Sequence, residues 1–211
     1  MRSLPAVISG VLLGLFGVLG AGLVALSHQG TAERIARNER AVLLQQLEEM
    51  LPRAQIDNDI LTDVVEVSAP EALGATMTRV YRGRREGQPV AAVLSPVIAQ
   101  GYSGPIRLIV AVRYDGTLAG ARVLAHRETP GLGDKIEVER SDWILDFAGK
   151  SLLNPPESGW AVRRDGGQFD QFTGATVTPR AVVRGIKASL VYFNQHKLRL
   201  FEQPQPEEST G

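Results

Sequence analysis

The chain contains no cysteine. Disulfides, thiolate zinc sites, cysteine-ligated iron–sulfur clusters and cysteine nucleophiles are thereby excluded. Histidine is scarce: His28, His126 and His196 stand far apart and form no helical ligand pair, so no metal ligands are assigned. An excess of one charge is lacking too. The 23 Lys+Arg and 23 Asp+Glu cancel, whereas a nucleic-acid binder normally carries a basic excess. Apolar residues are not lacking: 44% of the 211 residues are hydrophobic, enough for a packed core and too many for a disordered chain. Several catalytic signatures are missing. There is no Gly-x-Ser-x-Gly elbow. Gly149-Lys150-Ser151 could close a phosphate loop, but Ile144 stands where its first glycine belongs. Asp57-Asn58-Asp59 begins like a calcium loop without the required Gly and closing Glu, and reads as a polar turn. His126 has Glu128 nearby but no nucleophile, and reads as a satisfied strand-end histidine. No catalytic residue is assigned.

What is present begins with an apolar run. No charge falls between Ser3 and Ser27, and Leu4 to Leu26 is almost wholly apolar. As a helix this run rises roughly 35 Å against a hydrocarbon core of about 30 Å. Residues 1–30 are therefore expected to be an N-terminal transmembrane anchor. The alternative is a cleaved signal peptide ending near Ala25-x-Ser27, but such apolar cores usually run about 7–15 residues. Either places the rest of the chain across a membrane. Arg2 on one side and Arg34, Arg37 and Arg40 on the other, mixed with Glu33 and Glu39, leave the orientation open. Gly10, Gly14, Gly17, Ala21 and Ala25 share one helical face of small residues, which predicts close packing against membrane partners.

Residues 31–60 are expected to be a linker helix. It would run from Thr31 to Leu51, capped by Thr31 and ended by Pro52, with Ile35, Val42, Leu43, Leu47, Met50 and Leu51 as its stripe. Strand-like runs follow at Val64–Val67, Thr76–Arg82 and Val90–Ala99, the last interrupted by Pro96. Gly83–Pro89 is rich in turn residues. Ile106–Tyr114 and Leu118–His126 flank Asp115-Gly116, a strong hairpin signal. Ser141–Phe147 predicts a short helix capped by Ser141, and Trp160–Arg164 a strand ending at Gly166-Gly167. Pro179–His196 predicts an amphipathic helix with the stripe Val182, Val183, Ile186, Leu190 and Val191. Hairpins with isolated helices imply an α+β domain over 61–202, with a mainly antiparallel sheet and flanking helices. Residues 203–211 read as a disordered polar tail.

One segment carries candidate chemistry: Asp170-Gln171-Phe172-Thr173-Gly174-Ala175-Thr176. It is a turn with two hydroxyls beside minimal side chains, just before a helix. Thr178 would be the N-cap, with Pro179 at the first helical position. A helix N-terminus offers free N–H groups and the positive end of the dipole, which suits an anionic phosphate. Arg180 and Arg184 could add charge, and Gly174 and Ala175 leave room for a bulky group. On these residues alone an ordinary turn and cap is the better account.

The same segment resembles the flavinylation motif of FMN-binding membrane subunits, Ser/Thr-Gly-Ala-Thr preceded by Asp. In that family the last threonine, here Thr176, carries FMN through a phosphoester bond. Gly101-Tyr102-Ser103-Gly104 and His126-Arg127-Glu128-Thr129-Pro130-Gly131-Leu132-Gly133 are similar to further family motifs and stand in the same order, as do the Trp143 segment and Phe169-Asp170-Gln171-Phe172-Thr173. The likeness spans nearly the whole chain. It is greatest to the G subunits of Rnf-type ion-translocating electron transport complexes. The C subunits of sodium-translocating NADH:quinone reductases are more distant relatives with the same motif.

The resemblance implies a periplasmic FMN domain on a single-pass anchor in the bacterial inner membrane, N-terminus cytoplasmic. A separate flavin transferase would load it. The subunit would be an electron relay without stand-alone catalytic activity, in a translocase that couples ferredoxin–NAD electron transfer to ion movement. Its other partners would be the remaining subunits of the complex. The expected cofactor contacts are Asp170, Thr173, Gly174 and Ala175 around Thr176, with Glu128, Thr129, Pro130, Gly131, Leu132 and Gly133 as the opposite wall. The competing accounts are a non-redox structural adaptor of a membrane complex, the equivalent subunit of a sodium-translocating quinone reductase, and a flavin-based redox sensor.

Overall fold

The computed structural model describes the backbone of residues 4–202 and the side chains of 8–24, 31, 34–35 and 37–202. The chain divides into two units, Met1–Gln45 and Gln46–Gly211. The first consists of helix α1, which spans Leu4–Met50 and whose last residues, from Gln46, belong to the second unit.

Helix α1 corrects two expectations. The apolar run does not form the expected transmembrane anchor: among the described residues no helix is long and apolar enough to cross a membrane. Gly10, Gly14, Gly17, Gly20 and Gly22 contribute no apolar side chain to the run. Nor does a new helix start at Thr31, since α1 runs through it; a threonine inside a helix costs only a fraction of a kcal/mol. The helix stops at Met50, because Pro52 disfavours the helical conformation at the residue before it. Residues 51–60 are turns rather than linker helix. The tail 203–211 and Arg2 lie outside the described residues, as does the side chain of Ala25.

The second unit is built on six antiparallel strands: β1 (Val64–Val67), β2 (Thr78–Arg85), β3 (Gln88–Leu94), β4 (Val97–Ile98), β5 (Ile106–Arg113) and β6 (Leu118–Ala125). β5 is central. Ala111 pairs with Val93 of β3 on one side and Gly120 of β6 on the other, and Arg107 pairs likewise with Val97 of β4 and Ala125. Pro96 explains the break between β3 and β4, since proline cannot donate to the ladder. The β2–β3 hairpin turns on Glu86-Gly87, both at positive φ, so β2 passes through Gly83 instead of ending before it. The β5–β6 hairpin closes at Asp115-Gly116 as the sequence predicts. There Thr117 donates its hydroxyl (2.7 Å) and its N–H (2.8 Å) to the Asp115 carboxyl.

Every residue of β5 from Leu108 to Val112 is fully buried, which an alternating strand would not show. The reason is cover on both faces. On one face Val80, Ala92, Leu94, Leu108, Val110 and Val112 join Val182, Val183, Ile186, Leu190 and Phe193 in the main core. The last five belong to helix α3 (Val177–Phe201). Helix and sheet approach so closely that a Cβ on Gly185 would lie 2.3 Å from Ile98 Cδ1. On the other face Met50 at the end of α1 lies against Gly120, and Ile56 against Gly83.

Five short helices complete the unit, two of them 3-10 turns at Gly133–Ile136 and Glu157–Gly159. A one-turn helix α2 covers Pro70–Leu73, and a 3-10 helix at Asp142–Phe147 is capped by Ser141, whose hydroxyl accepts from Trp143 N–H (3.3 Å). A further 3-10 turn occupies Arg163–Asp165. Trp160–Arg164 is accordingly not a strand. Only Val162 makes a ladder contact, with Phe169, while Trp160 and Phe169 turn inward to an aromatic cluster. In that cluster Phe147 stacks on Phe169 (4.4 Å between centroids) and meets Trp143 edge-on (5.1 Å). The C-terminus of α3 is tied to the sheet edge by Arg82 and Arg84. They share the carboxyl of Asp63 and donate to the carbonyls of Glu202 (3.0 Å) and Phe201 (3.0 Å).

Two measurements check this architecture. Phe147→Ala removes the centre of the aromatic cluster and should cost about 3–5 kcal/mol in urea unfolding; Leu153→Ala, at a side chain 91% exposed, should change stability little. The Thr117 hydroxyl and N–H hold the Asp115 carboxyl below the usual carboxylate range. Its contribution is complete above the unfolded carboxylate value near 3.9 and is lost as pH falls through the lowered folded value. Asp115→Ala should therefore melt below the parent at neutral pH, and the gap should close in acid.

Candidate functional site

The turn at 172–175 follows from its residues. Ala175 N–H bonds the Phe172 carbonyl (3.1 Å), and the third position, Gly174, has φ +82°, a conformation that glycine adopts without strain. Phe172 is buried and meets Trp143 edge-on at 5.2 Å, while the Trp143 indole N–H donates to the Asp170 carbonyl (2.9 Å). The turn is thus fastened to the aromatic cluster from behind. Thr173 and Gly174 face outward, and Ala175 and Thr176 are half-buried. The Asp170 carboxyl pairs with Arg163 (2.9 Å), both well exposed.

Helix α3 begins earlier than the sequence implies. Thr176 is its N-cap, at φ −84° and ψ −27°, and Val177 its first residue. Thr178 is not the cap and Pro179 is not the first helical position. Thr178 instead points inward and donates its hydroxyl to Glu128 Oε2. Thr176 lends its carbonyl to Arg180 N–H (3.3 Å), and its side chain makes no capping hydrogen bond. The first N–H groups of a helix have no partner within it, and Pro179 contributes none, which leaves those of Val177 and Thr178 near the Thr176 hydroxyl. Arg180 does not face this end freely: it binds Asp165 through two bonds, 2.5 and 2.7 Å. That pairing holds the Asp165 carboxyl below its ordinary value and raises the Arg180 guanidinium.

The second wall lies where the chain leaves β6. Leu132 and Gly133 donate to the Thr129 carbonyl, each at 3.1 Å, closing a tight loop around Pro130 and Gly131. Thr129, Pro130, Gly131 and Leu132 are exposed, whereas Glu128 and Gly133 are buried. The structure brings the two walls together: a Cβ on Gly174 would lie 3.4 Å from Leu132 Cδ2. Around Gly131 no atom would meet an added Cβ within 4 Å. Together these residues form an apolar, sterically open surface beside a threonine hydroxyl and a helix N-terminus. Such a surface fits the ring and phosphate of a flavin mononucleotide.

Glu128 is the residue whose placement the sequence does not foretell. It is 5% exposed. Oε1 accepts from Ser103 N–H (3.0 Å), Oε2 from Thr178, and its own N–H donates to His126 Nδ1 (2.9 Å). With Nδ1 accepting, the His126 ring proton sits on Nε2, facing Glu137 Oε1 at 2.8 Å. Glu128 therefore points beneath the wall, joining the segments 101–104, 126–133 and 173–178. Sequence reasoning misses Ser103 and Thr178 in this role, because pairing across 25 and 50 residues leaves no local trace.

The comparisons with known proteins agree with this geometry. Residues 101–191, which contain all three segments, match the family model described as FMN-binding domain; residues 1–50 match the RnfG N-terminal region. The fold and site thus define a protein with an FMN-binding domain. Relatives named as the G subunit of an ion-translocating oxidoreductase complex resemble it over nearly their whole length. That of Pseudomonas aeruginosa is 49% identical, over 95% of this chain and 93% of its own. That of Pseudoalteromonas atlantica is 45% identical, over 92% and 90%. That of Vibrio cholerae is 44% identical, over 94% and 95%. The chain belongs to the family of G subunits of ion-translocating oxidoreductase complexes.

The two loop glycines separate packing from conformation. At Gly133 a Cβ would lie 2.9 Å from Glu128 Cβ and 3.0 Å from Thr178 Oγ1. Gly133→Ala should therefore cost about 1–3 kcal/mol in thermal unfolding and disturb the 126–133 loop. Gly131→Ala meets open space, and only its positive φ opposes the change, by about 1 kcal/mol.

Proposed function

We propose that this protein is an electron-relay subunit of a membrane-associated ion-translocating complex, carrying FMN in a phosphoester bond to Thr176. The observation that carries the reading is the state of the Thr176 hydroxyl. It stands at the N-cap of α3 without a capping bond, beside the minimal side chains of Gly174 and Ala175 and across from Leu132. A phosphodiester there retains one negative charge, which the helix N-terminus stabilises by about 0.3–1 kcal/mol. Bound FMN supplies transfer of one or two electrons. This chain then needs no acid or nucleophile for the relay, only residues that hold the flavin and leave an edge reachable. Thr129, Pro130, Gly131, Leu132 and Gly133 form one wall, backed by Glu128, and Asp170, Thr173, Gly174 and Ala175 shape the other.

In this reading the neighbours are the other subunits of the complex, and a flavin transferase loads the cofactor. The complex passes electrons between ferredoxin and NAD coupled to ion movement, with the FMN domain on the periplasmic side of the bacterial inner membrane. The relatives named above are G subunits, which favours this complex over a quinone reductase. In α1, Val11, Leu13, Phe16, Val18 and Val24 are each more than 60% exposed, and nothing lies within 4 Å of a Cβ at Gly10, Gly14 or Gly17. That surface would be covered by the partner subunits.

Attachment requires an activated phosphorus. The threonine Oγ bonds to the flavin-side phosphorus of a flavin dinucleotide, the bond to the second phosphate breaks, a nucleoside monophosphate leaves, and the hydroxyl proton passes to solvent by way of the transferase. Intact mass and in-gel fluorescence after denaturation test this. Protein co-expressed with an active transferase should gain one FMN phosphoester, and Thr176→Ala should gain none. No adduct on the native chain would leave a structural adaptor as the better account.

A further inference from the structure

Three threonines, Thr173, Thr176 and Thr178, stand close together at this turn, and on the reading above only one of them receives the flavin. By chemistry alone Thr178 is the hydroxyl with a proton acceptor in place, since it donates to Glu128. It is also 1% exposed, beyond the reach of a second protein. Thr176, two residues earlier, is half-buried at the surface and makes no capping bond. Glu128 itself cannot swing away. One oxygen is held by Ser103 N–H, its own N–H by His126, and Gly101 and Gly133 crowd it so closely that a Cβ on either would fall within 3 Å of the side chain.

We propose that the buried Glu128–Thr178 hydrogen bond is the positioning element for flavin attachment. It fixes the first turn of α3 so that the Thr176 hydroxyl is presented to the transferase, and it withholds Thr178. Glu128 and Thr178 are positioning residues in this scheme; neither touches the reacting phosphorus. Misplacing a reacting group by about 1 Å costs on the order of 100-fold in rate, so loss of the bond should register in kinetics before it registers in the fold.

The test uses the full apo chain, purified flavin transferase and a flavin dinucleotide. Adduct formation is followed by intact mass, the attachment site by peptide fragmentation, and folding by circular dichroism. Thr178→Val should remain folded at the assay temperature yet gain FMN at least about 10-fold more slowly than the native chain. Thr178→Ser, which restores the hydroxyl, should recover the rate. Thr178→Ala removes the hydroxyl without adding a methyl group, so it should show the same slowing; it decides the matter should Thr178→Val not fold. Native rates in folded Thr178→Val, or in Thr178→Ala in its place, would overturn the positioning role while leaving attachment at Thr176 intact. An adduct on Thr178 in the native chain, or none anywhere with a transferase active on another substrate, would instead overturn the Thr176 reading itself.

Discussion

The site depends on one buried carboxyl group. Glu128 sits almost entirely out of water, and a polar group so placed costs several kcal/mol unless its bonds are made. They are made by Ser103 N–H and the Thr178 hydroxyl, from segments far apart in the chain. Satisfying Glu128 therefore fixes the distance between the 101–104 bend, the 126–133 loop and the start of α3. Removing any one donor would leave the carboxyl underpaired and would loosen all three together. The glycines at 101 and 133 follow from this: the space a side chain would need is already filled by Glu128.

Around that bond the domain divides its labour. The aromatic cluster of Trp143, Phe147, Trp160, Phe169 and Phe172 combines edge-on and stacked ring pairs, and such pairs add about 0.5–1.5 kcal/mol each beyond burial. It grips the exposed turn from below through Phe172 and the Trp143–Asp170 bond. What faces outward at Thr173, Gly174 and Leu132 is small, apolar or hydroxylated, with the Asp170–Arg163 pair at its edge. An FMN-binding domain built this way needs little chemistry of its own, because the cofactor brings the redox couple and the protein brings placement.

Much of the frame is legible in the sequence. The β5–β6 hairpin declares itself in Asp115-Gly116 between two apolar runs, and α3 in the spacing of Val182, Val183, Ile186 and Leu190. The two glycine-bearing walls are legible as loops, and the resemblance orders them. Three things are not. Trp160–Arg164 reads as a strand by composition, yet its aromatic residue is drawn to a cluster whose other members lie elsewhere in the chain. Thr178 has the residue type of a cap, but its hydroxyl is claimed by a carboxyl fifty residues away, which moves the cap to Thr176. The early apolar run reads as a membrane span by hydropathy, while among the described residues no helix is long and apolar enough to be one. Local pattern sets local conformation; long-range pairing lies outside its reach.

The clasp at the far end of α3 sets an order of events. Arg82 and Arg84 bind carbonyls at Phe201 and Glu202, some 120 residues further along, near the last residues described. A chain emerging from the ribosome from its N-terminus can pair β1 to β6 early, but it cannot close this clasp until residues 201 and 202 have left it. The part of the sheet under α3 stays bare until then. The hydroxyl of Thr176 acquires its place at a helix end only once α3 has been made and docked. A modifying enzyme that reads the folded turn would thus act only on chains whose sheet and α3 have already met, and the fold itself would gate access to the turn.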